Sequence, residues 1–417
     1  MEEYHMKKLL LSMTASALLT GGLYADDISD LKAQIAELQE KTDALIDETS
    51  DLKTGFNYTT VDANASVNGM GPAASKVYYS KSPLSIGGYG EMFWASPSKE
   101  GPSGDAYTDV YRFVPYIGYK FSDNIILNTE LEFEHGGEEV VIEFMYLDFL
   151  FSSAFNLQVG HLLVPMGLVN MRHEPTLYNT IQRPDVERYL VPSTWHETGI
   201  LAYGEIGDTG LNYTAGIINA LELNNDNNMP GNVTKSWIRS GRVGSEENGP
   251  MQRVAFVGRL DYTGIAGLLA GGSMYYGAGT QGRPSGVDAF MYELHTVYEK
   301  AGFKFKGLYT QTSVSNAEYI FAESASGAEG YYVNAEYNVL STAPTAYRLP
   351  IFVQYENYDP VSSGGYGVDL KQANTTVGLN FFPMDQVVLK ADYVMVDYKN
   401  SAFEDYNTVS LGLGFIF

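Results

Sequence analysis

The residues that most often carry chemistry in proteins do not form a reactive set in this sequence. The 417-residue chain has no cysteine, which excludes a thiolate nucleophile, a disulfide scaffold and a cysteine metal site. Four histidines, His161, His173, His196 and His295, are too scattered along the chain to predict a metal site from spacing. No glycine-rich phosphate loop, nucleotide motif or haem-attachment motif is present. We therefore predict a protein that is not an enzyme, with no catalytic residue, no cofactor and no metal.

Ionisable side chains instead recur at alternate positions of strand-like segments. In residues 125–135, Glu130, Glu132 and Glu134 alternate with Leu131 and Phe133. Successive side chains of a strand point to opposite faces, so one face is charged and the other is apolar. Because a Lys or Arg facing lipid costs roughly 2–4 kcal/mol at mid-bilayer, the charged face must look into water. The residues predicted in this way to line a channel are Arg112, Lys120, Glu130, Glu132, Glu134, Arg253, Arg259, Asp261, Lys304, Lys306, Glu336, Glu356, Lys390 and Asp392.

The C-terminal residues show the same alternation most clearly. Every second residue from Val409 to Phe417 is large and apolar, and those between are small or polar except Ile416. Such a pattern is typical of a strand that lies between lipid and a wet lumen.

About sixteen segments of this kind follow one another from residue 84 onward. They lie near 84–95, 106–120, 125–135, 139–151, 156–162, 198–206, 211–220, 251–262, 267–276, 289–300, 302–312, 329–339, 348–357, 370–382, 387–398 and 404–417. Most are long enough for a tilted strand to cross a bilayer. The sequence therefore predicts an all-β fold, a 16-stranded antiparallel transmembrane β-barrel over residues 84–417.

The connections between these segments support the barrel. Short turns, such as Ser122-Asp123-Asn124, alternate with long loops, such as 221–250, 277–288 and 313–328. This sorting is the signature of a barrel with short periplasmic turns and long outer loops. A sandwich or a propeller would not produce it. Two features fit poorly, because 135–138 is short for a loop and Pro115 lies inside a strand, where we expect a bulge.

Three further elements precede the barrel. Lys7 and Lys8 before an apolar stretch predict a signal peptide over 1–25. Residues 26–54 repeat apolar positions every seven residues, which predicts a periplasmic α-helical coiled coil, with a single amphipathic helix as the alternative. The spacing does not distinguish two strands from three. Residues 55–83 read as a linker. The positions predicted to hold protomers together are Ile28, Leu31, Ile35, Leu38, Leu45 and Leu52.

The longest connection, residues 163–197, predicts a functional element. It carries apolar residues of its own together with five charged ones, Arg172, Arg183, Asp185, Glu187 and Arg188. Long loops without strand character are usually functional or disordered. We expect this segment to fold into the barrel and to constrict it. The alternative is an outer loop that packs on its neighbours or on a trimer seam.

One stretch of the chain is similar to a known family. Residues 157–168, LQVGHLLVPMGL, resemble the strand-to-loop segment of the phosphate-selective porins, porins O and P. Residues 85–91 resemble the first strand of that family, and Thr198-Gly199-Ile200 resembles its strand after the inward loop. The resemblance implies a homotrimer of 16-stranded barrels, an inward third loop and solute diffusion. The final strand, with Phe415 and Phe417, also resembles the C-terminal signal that barrels show to the barrel-assembly machinery.

The charge of the chain departs from that family. The resemblance implies ladders of Lys and Arg that select phosphate, but this chain has 26 Lys and Arg against 50 Asp and Glu. Like charges in a pore repel the co-ion, so the glutamates of 125–135 predict a weak preference for cations. The net charge of -24 argues against nucleic acid as a partner. A local anion step at arginines such as Arg172 and Arg183 stays open.

Together these features predict a porin of the bacterial outer membrane. Its water-filled channel would pass small hydrophilic solutes and ions by passive diffusion. Its expected partners are two further copies of the chain, outer-membrane lipids and lipopolysaccharide, the barrel-assembly machinery and, through the coiled coil, peptidoglycan. Two alternatives remain at this point. One is a structural or adhesive barrel that binds an external ligand through loops 221–250 and 277–288, and the other is an anion- or phosphate-selective porin.

Overall fold

The computed structural model describes residues 32–43, 45, 59–99, 105–244 and 249–417. The chain divides into two units, Met1–Tyr58 and Thr59–Phe417. The predicted signal peptide and the heptad residues Ile28, Leu31 and Leu52 lie outside the described residues. Among the described residues, no helix is both long and apolar enough to cross a bilayer.

The described part of the first unit is helical. Helix α1 covers residues 32–43. Lys41 Nζ bonds Glu37 Oε1 at 2.7 Å, the i,i+4 spacing that supports a helix. On this single chain Leu38 is 63 % exposed and Leu45 61 % exposed. Apolar residues presented in this way are what a coiled coil would cover, and the coiled coil itself stays a prediction.

Sixteen antiparallel strands form a closed barrel in which every strand pairs with its neighbours in sequence and β1 pairs with β16. The predicted fold of the barrel is therefore confirmed. The strands are β1 Leu84–Pro97, β2 Tyr107–Ser122, β3 Ile125–Glu134, β4 Glu139–Ser152, β5 Phe155–Leu163, β6 His196–Glu205, β7 Leu211–Asn219, β8 Val254–Tyr262, β9 Leu268–Ala278, β10 Asp288–Lys300, β11 Phe303–Ser315, β12 Gly327–Asn338, β13 Pro350–Ser363, β14 Gln372–Met384, β15 Val387–Tyr398 and β16 Tyr406–Ile416.

The two ends of the barrel differ in their connections. One end is here called the turn end. It carries the start of β1, the end of β16 and short links such as those after β2, β4 and β14. The other end, the loop end, carries the long connections. The link between β3 and β4 is tight although it lies at the loop end. His135, Gly136 and Gly137 have φ values of 50°, 71° and 97°, and this left-handed run closes the hairpin.

Bulges in β2 and β4, the two strands that flank β3, turn extra side chains inward. The register between β1 and β2 shifts between Glu91 and Phe93, so Tyr111 and Arg112 of β2 both lie inside. The register between β3 and β4 shifts between Glu130 and Leu131, which leaves Glu143 as the extra residue of β4. A bulge inserts one residue and re-aims its side chain.

The prediction of a bulge at Pro115 is wrong. Pro115 pairs with Gly88 of β1 in an unbroken register, from Tyr89 opposite Val114 to Gly87 opposite Tyr116. The irregularity of β2 lies closer to the loop end, beside Glu91. Proline thus occupies a regular strand position here, and the extra residue belongs to the charged part of the strand.

The barrel is filled by two stretches of the chain outside the strands. The first, residues 59–83, is called the N-terminal insert and contains the short helix α2, Lys76–Tyr79. The second, residues 163–197, is called the inner segment. The buried apolar residues of both join the inward-facing residues of the strands in one core cluster, for example Met70, Met166 and Tyr89.

The N-terminal insert coincides with most of the predicted linker, but it is packed at the turn end. Tyr78 Oη donates to Asp148 Oδ2 of β4 at 2.7 Å, and Asn128 Nδ2 of β3 donates to Ala74 O at 2.9 Å. Lys120 Nζ of β2 donates to Ser80 O at 2.7 Å. The polar and small residues that suggested a linker are therefore used to satisfy inward-facing polar groups of the wall.

Candidate functional site

The inner segment crosses the barrel and bonds to strands on all its sides. Tyr178 Oη donates to Glu91 Oε2 of β1 at 2.7 Å, and Ile181 N donates to Asp392 Oδ2 of β15 at 2.7 Å. Val186 N donates to Glu356 Oε2 of β13 at 3.0 Å. On the opposite wall, Arg259 Nη1 of β8 donates to Gly167 O at 2.5 Å. These contacts put the segment inside the barrel, between opposite parts of the wall.

Wall lysines hold backbone carbonyls of the same segment. Lys306 Nζ donates to Leu177 O at 2.9 Å and to Asn179 Oδ1 at 3.0 Å. Lys390 Nζ donates to Tyr178 O at 2.8 Å and to Thr180 O at 3.0 Å, and it lies 4.0 Å from the centre of the Tyr178 ring. The amide of Asn179 also donates to Glu336. Charged residues of the strands thus bind the segment.

Glu187 is the internal anchor of the inner segment. It lies in a π-helical turn, Val186–Leu190, and it is fully buried. Its Oε2 accepts the backbone N–H groups of Leu168 at 2.8 Å and Val169 at 2.7 Å. Its Oε1 accepts the hydroxyl of Tyr332 on β12 at 2.6 Å. Gly167 has φ +77°, and a Cβ there would lie 2.5 Å from Glu187 Oε2, so this approach requires glycine.

The N-terminal insert and the inner segment also bind each other. Glu174 accepts the backbone N–H groups of Ala73 at 3.0 Å and Ala74 at 3.1 Å. Burial raises the pKa of Glu174 to about 6, although these two N–H groups favour the ionised form. Gly71 N donates to Met171 O at 3.1 Å. The two fillings of the barrel therefore form one connected body.

Arg112 pairs with three carboxylates under the inner segment. Its guanidinium lies 2.7 Å from Glu91, 2.8 Å from Glu132 and 2.7 Å from Glu134. Glu130 and Glu132 are only 0 % and 5 % exposed. These glutamates point into the barrel, as the alternation predicts, but other protein groups cover them. Neither Glu130 nor Glu132 borders either of the two large cavities inside the barrel. A cation preference that rests on them therefore loses its basis.

Two cavities lie on either side of the inner segment. The inner cavity, toward the turn end, has a volume of about 760 Å³. Its charged lining consists of Arg172, Lys304, Lys306, Arg348, Glu299 and Asp385. The outer cavity, toward the loop end, has a volume of about 610 Å³. Its charged lining consists of Lys99, Arg183, Arg188, Lys235, Asp185, Glu356, Asp392 and Glu404. Cations thus outnumber carboxylates in the inner cavity and equal them in the outer one.

The long loop between β7 and β8 supplies a second basic group that binds the inner segment. Arg239 Nη1 donates to Ser193 O at 2.8 Å, and Arg242 Nη1 donates to Thr194 O at 2.7 Å. Burial, together with the charge of Arg242, lowers the pKa of Arg239 to about 9, so it stays protonated at neutral pH. Trp237 of this loop is buried, and its indole donates to Pro360 O at 2.6 Å.

The remaining predicted residues hold loops, the N-terminal insert or the inner segment in place. Arg253 Nη2 donates to Gly282 O at 2.9 Å in the link after β9, and Lys120 holds the N-terminal insert. Arg259 pairs with Asp261 at 2.8 Å. Asp185 of the inner segment accepts Tyr358 Oη of β13 at 2.7 Å. Phe417 N donates to Gly88 O at 2.9 Å, which joins the last residues to β1 and closes the wall.

Sequence reasoning missed several residues of the cavities and of the interior. Lys99, Lys235 and Arg348 line cavities although they lie in connections between strands. Glu143 was missed because a bulge breaks the alternation, and His173 because its neighbours are distant in sequence. A polar residue beside an apolar one within a strand is the only local signal that could have marked Glu143.

Comparison with known proteins places the chain among relatives. No family model matches it. An uncharacterized protein of Aquifex aeolicus (strain VF5) is 34 % identical in an alignment 365 residues long, and this alignment covers 81 % of each of the two chains. This chain belongs to the same family.

Solved structures with the same fold are porins and channels of outer membranes. The anion-selective porin from Comamonas acidovorans is similar with a TM-score of 0.55 and 15 % identity, over 80 % of this chain and 99 % of that one. The outer membrane channel DcaP of Acinetobacter baumannii has a TM-score of 0.52 and 11 % identity, over 80 % and 97 %. Salmonella typhi OmpF in complex with daunomycin has a TM-score of 0.52 and 12 % identity, over the same shares. The barrel of this chain therefore has the same fold as these three proteins.

Proposed function

We propose that this protein is a porin of the bacterial outer membrane, a channel for passive diffusion of small hydrophilic solutes and ions. The observation that carries the proposal is the closed barrel of sixteen strands whose outer wall is apolar and whose interior holds two charged cavities. Outward residues such as Phe256, Phe303 and Leu411 are 58 %, 63 % and 53 % exposed, as a wall facing hydrocarbon requires.

The inner segment would set the width of the pathway. It separates the two cavities, and wall side chains from β1, β8, β13 and β15 hold it in place. Arg183, Asp185 and Arg188 line the outer cavity, so solutes in that cavity would meet both charge signs. Polar and charged groups of the segment, together with the width that it leaves open, would then select which solutes pass.

The lining of the inner cavity favours an anion-preferring porin as the second candidate. Four cationic and two acidic side chains line this cavity. Fixed positive charge concentrates anions and repels cations. The phosphate selectivity implied by the resemblance to porins O and P is one form of this candidate. A general porin with a weak anion preference requires only the excess of positive charge in this lining, and no specific phosphate-binding site.

An adhesive barrel is less well supported. The β7–β8 loop would be expected to expose apolar residues to an external ligand, but it buries Trp237 and binds the inner segment through Arg239 and Arg242. Its apolar residues thus serve packing at the loop end.

Planar-bilayer recording of the purified protein tests the proposal. We expect stepwise conductance that rises with salt concentration, and a reversal potential on the anion side under a salt gradient. Lys304→Gln with Arg348→Gln removes two cations of the inner cavity and should move the reversal potential toward cations. Lys399→Gln, at an exposed pair with Asp397 in the β15–β16 loop, is the matched control and should leave it unchanged.

Two results would contradict these statements separately. A protein that inserts but never conducts would refute the channel. A conducting protein whose reversal potential ignores the Lys304 and Arg348 substitutions would refute the assigned ion path and leave the channel standing.

A further inference from the structure

Three buried side chains from three parts of the fold meet at one point inside the barrel. Glu130 comes from β3, Glu143 from the bulge of β4 and His173 from the inner segment. One oxygen of each carboxylate and one imidazole nitrogen lie within 4.8 Å of one another. All three side chains are almost fully buried, with 0 %, 1 % and 2 % exposed.

The imidazole of His173 is oriented to present a lone pair at this point. Nδ1 lies 2.7 Å from the carbonyl oxygen of Asn170, and a carbonyl only accepts, so Nδ1 carries the hydrogen. In a neutral imidazole Nε2 is then free to accept, and it faces Glu130 Oε1 at 2.9 Å and Glu143 Oε2 at 3.4 Å. Histidine ligands of metals are commonly fixed through their second nitrogen in this way.

One oxygen of each carboxyl group lacks the hydrogen-bond partner that a buried oxygen requires. Glu130 Oε2 and Glu143 Oε2 are both buried and have no hydrogen-bond partner. Burying such an oxygen without a donor costs free energy, and each case in a native protein calls for an explanation. Arg112 Nε bonds neighbouring Glu132 at 2.8 Å, so that guanidinium is directed to Glu132.

The nearby arginine does not satisfy these oxygens. Arg183 Nη2 donates to His173 O at 3.3 Å and Tyr89 Oη at 3.4 Å. Its Nε and Nη1 have no hydrogen-bond partner, so none of its N–H groups reaches Glu130 or Glu143. The two carboxyl groups are therefore left without a hydrogen bond from this arginine.

We propose that Glu130, Glu143 and His173 form a site for a divalent transition-metal ion, of which Zn²⁺ is the representative. One nitrogen and two carboxylate oxygens are the donor types that such ions take. Tetrahedral metal–ligand bonds of ~2.1 Å place two donors about 3.4 Å apart. His173 Nε2 already lies 2.9 Å and 3.4 Å from the two carboxylate oxygens. Because no two donors are more than 4.8 Å apart, a closure on the order of 1 Å would complete the site. The ion would link β3, β4 and the inner segment.

Metal content of the purified, folded protein tests the site. Protein treated with chelator in denaturant is refolded into detergent with and without Zn²⁺, and folding is checked by the heat-dependent mobility of the barrel on gels. We expect about one Zn²⁺ per protomer after refolding with the ion. Less than about a tenth of an equivalent in well-folded wild-type protein would overturn the proposal, since protons alone would then satisfy the carboxylates.

Variants and spectroscopy assign the ligands. Glu143→Gln and His173→Gln should each lose the bound ion, whereas His135→Gln, at an exposed pair with Asp109, should retain it. In wild-type protein loaded with Cu²⁺, electron paramagnetic resonance should show one coordinated nitrogen. Two nitrogens would instead indicate the pair His161 and His196, whose ring nitrogens lie 2.6 Å apart, and would overturn the assignment. This spectrum decides the matter even if the variants fail to fold.

Discussion

The charged residues of the barrel interior mostly bind other protein groups. Arg112, Lys306, Glu356, Lys390 and Asp392 face inward, and each bonds either carboxylates or the backbone of the inner segment. Such a charge can act on a passing ion only where it borders a cavity, as Lys306, Glu356 and Asp392 do and Arg112 does not. An inward-facing charge in a filled barrel can therefore stabilise the fold without contributing to ion selectivity.

Removal of Arg112 should destabilise the barrel. Arg112→Met leaves Glu91, Glu132 and Glu134 without their shared cation, and breaking a buried pair in this way costs about 3–5 kcal/mol. We expect a lower temperature for the gel-mobility transition of the folded barrel. Lys99→Met, which removes an exposed pair with Glu404, is the control and should not change that temperature. Equal transition temperatures for both variants would show that the cluster contributes no stability.

The inner segment and the N-terminal insert are the elements that decide what space remains in the barrel. Both are irregular stretches that obtain most of their hydrogen bonds from the wall or from each other, as with Glu174 and the backbone of Ala73 and Ala74. Their stability should thus depend on a few buried anchors.

Weakening the main anchor should loosen the constriction. Glu187→Ala removes the acceptor for Leu168 N, Val169 N and Tyr332 Oη and leaves buried donors unpaired, at about 1–3 kcal/mol each. We expect larger and noisier single-channel conductance from folded protein. Glu205→Ala, an exposed residue at the end of β6, serves as the control. Unchanged current traces in the Glu187 variant would show that the segment does not need this anchor.

Deletion of the N-terminal insert should widen the turn end. Residues 59–83 occupy space between the wall and the inner segment, so their removal should raise the conductance of each pore. Deletion of 26–54 alone should leave that conductance as it is, because those residues belong to the other unit. If both deletions give the wild-type conductance, the insert lies outside the path that limits the current.

For the whole molecule, the prediction that remains is assembly. The coiled coil over 26–54 would join protomers, and the resemblance to porins O and P implies three. Leu38→Asp with Leu45→Asp places charge on residues that are 63 % and 61 % exposed in the single chain. We expect a fall in the trimer fraction by native mass measurement of detergent-solubilised protein, with conductance per pore retained. Lys41→Ala is the control, since Lys41 lies off the heptad seam. A trimer that survives the aspartates would place the contact in the barrel wall.

The sequence predicts the strands of the wall well, and it predicts the contacts inside the barrel poorly. Period-two alternation is local, so the strand bounds are predicted within about three residues of the observed ones, except that β13 continues to Ser363 instead of 357. The faces of β3 and of the last strand were likewise predicted from alternation. The bulge at Glu143 was not, because one extra residue reverses the alternation without leaving a distinctive local pattern.

The sequence by itself determined a closed 16-stranded wall with apolar residues outside and ionisable residues inside, because hydrocarbon and water impose that alternation residue by residue. Only the tertiary structure decided which inward charges meet water. Glu130 and Glu132 are covered, whereas Lys304 and Arg348 border a cavity. That difference arises from contacts between residues far apart in sequence, such as His173 with Glu130 and Ala73 with Glu174, and no local pattern contains them.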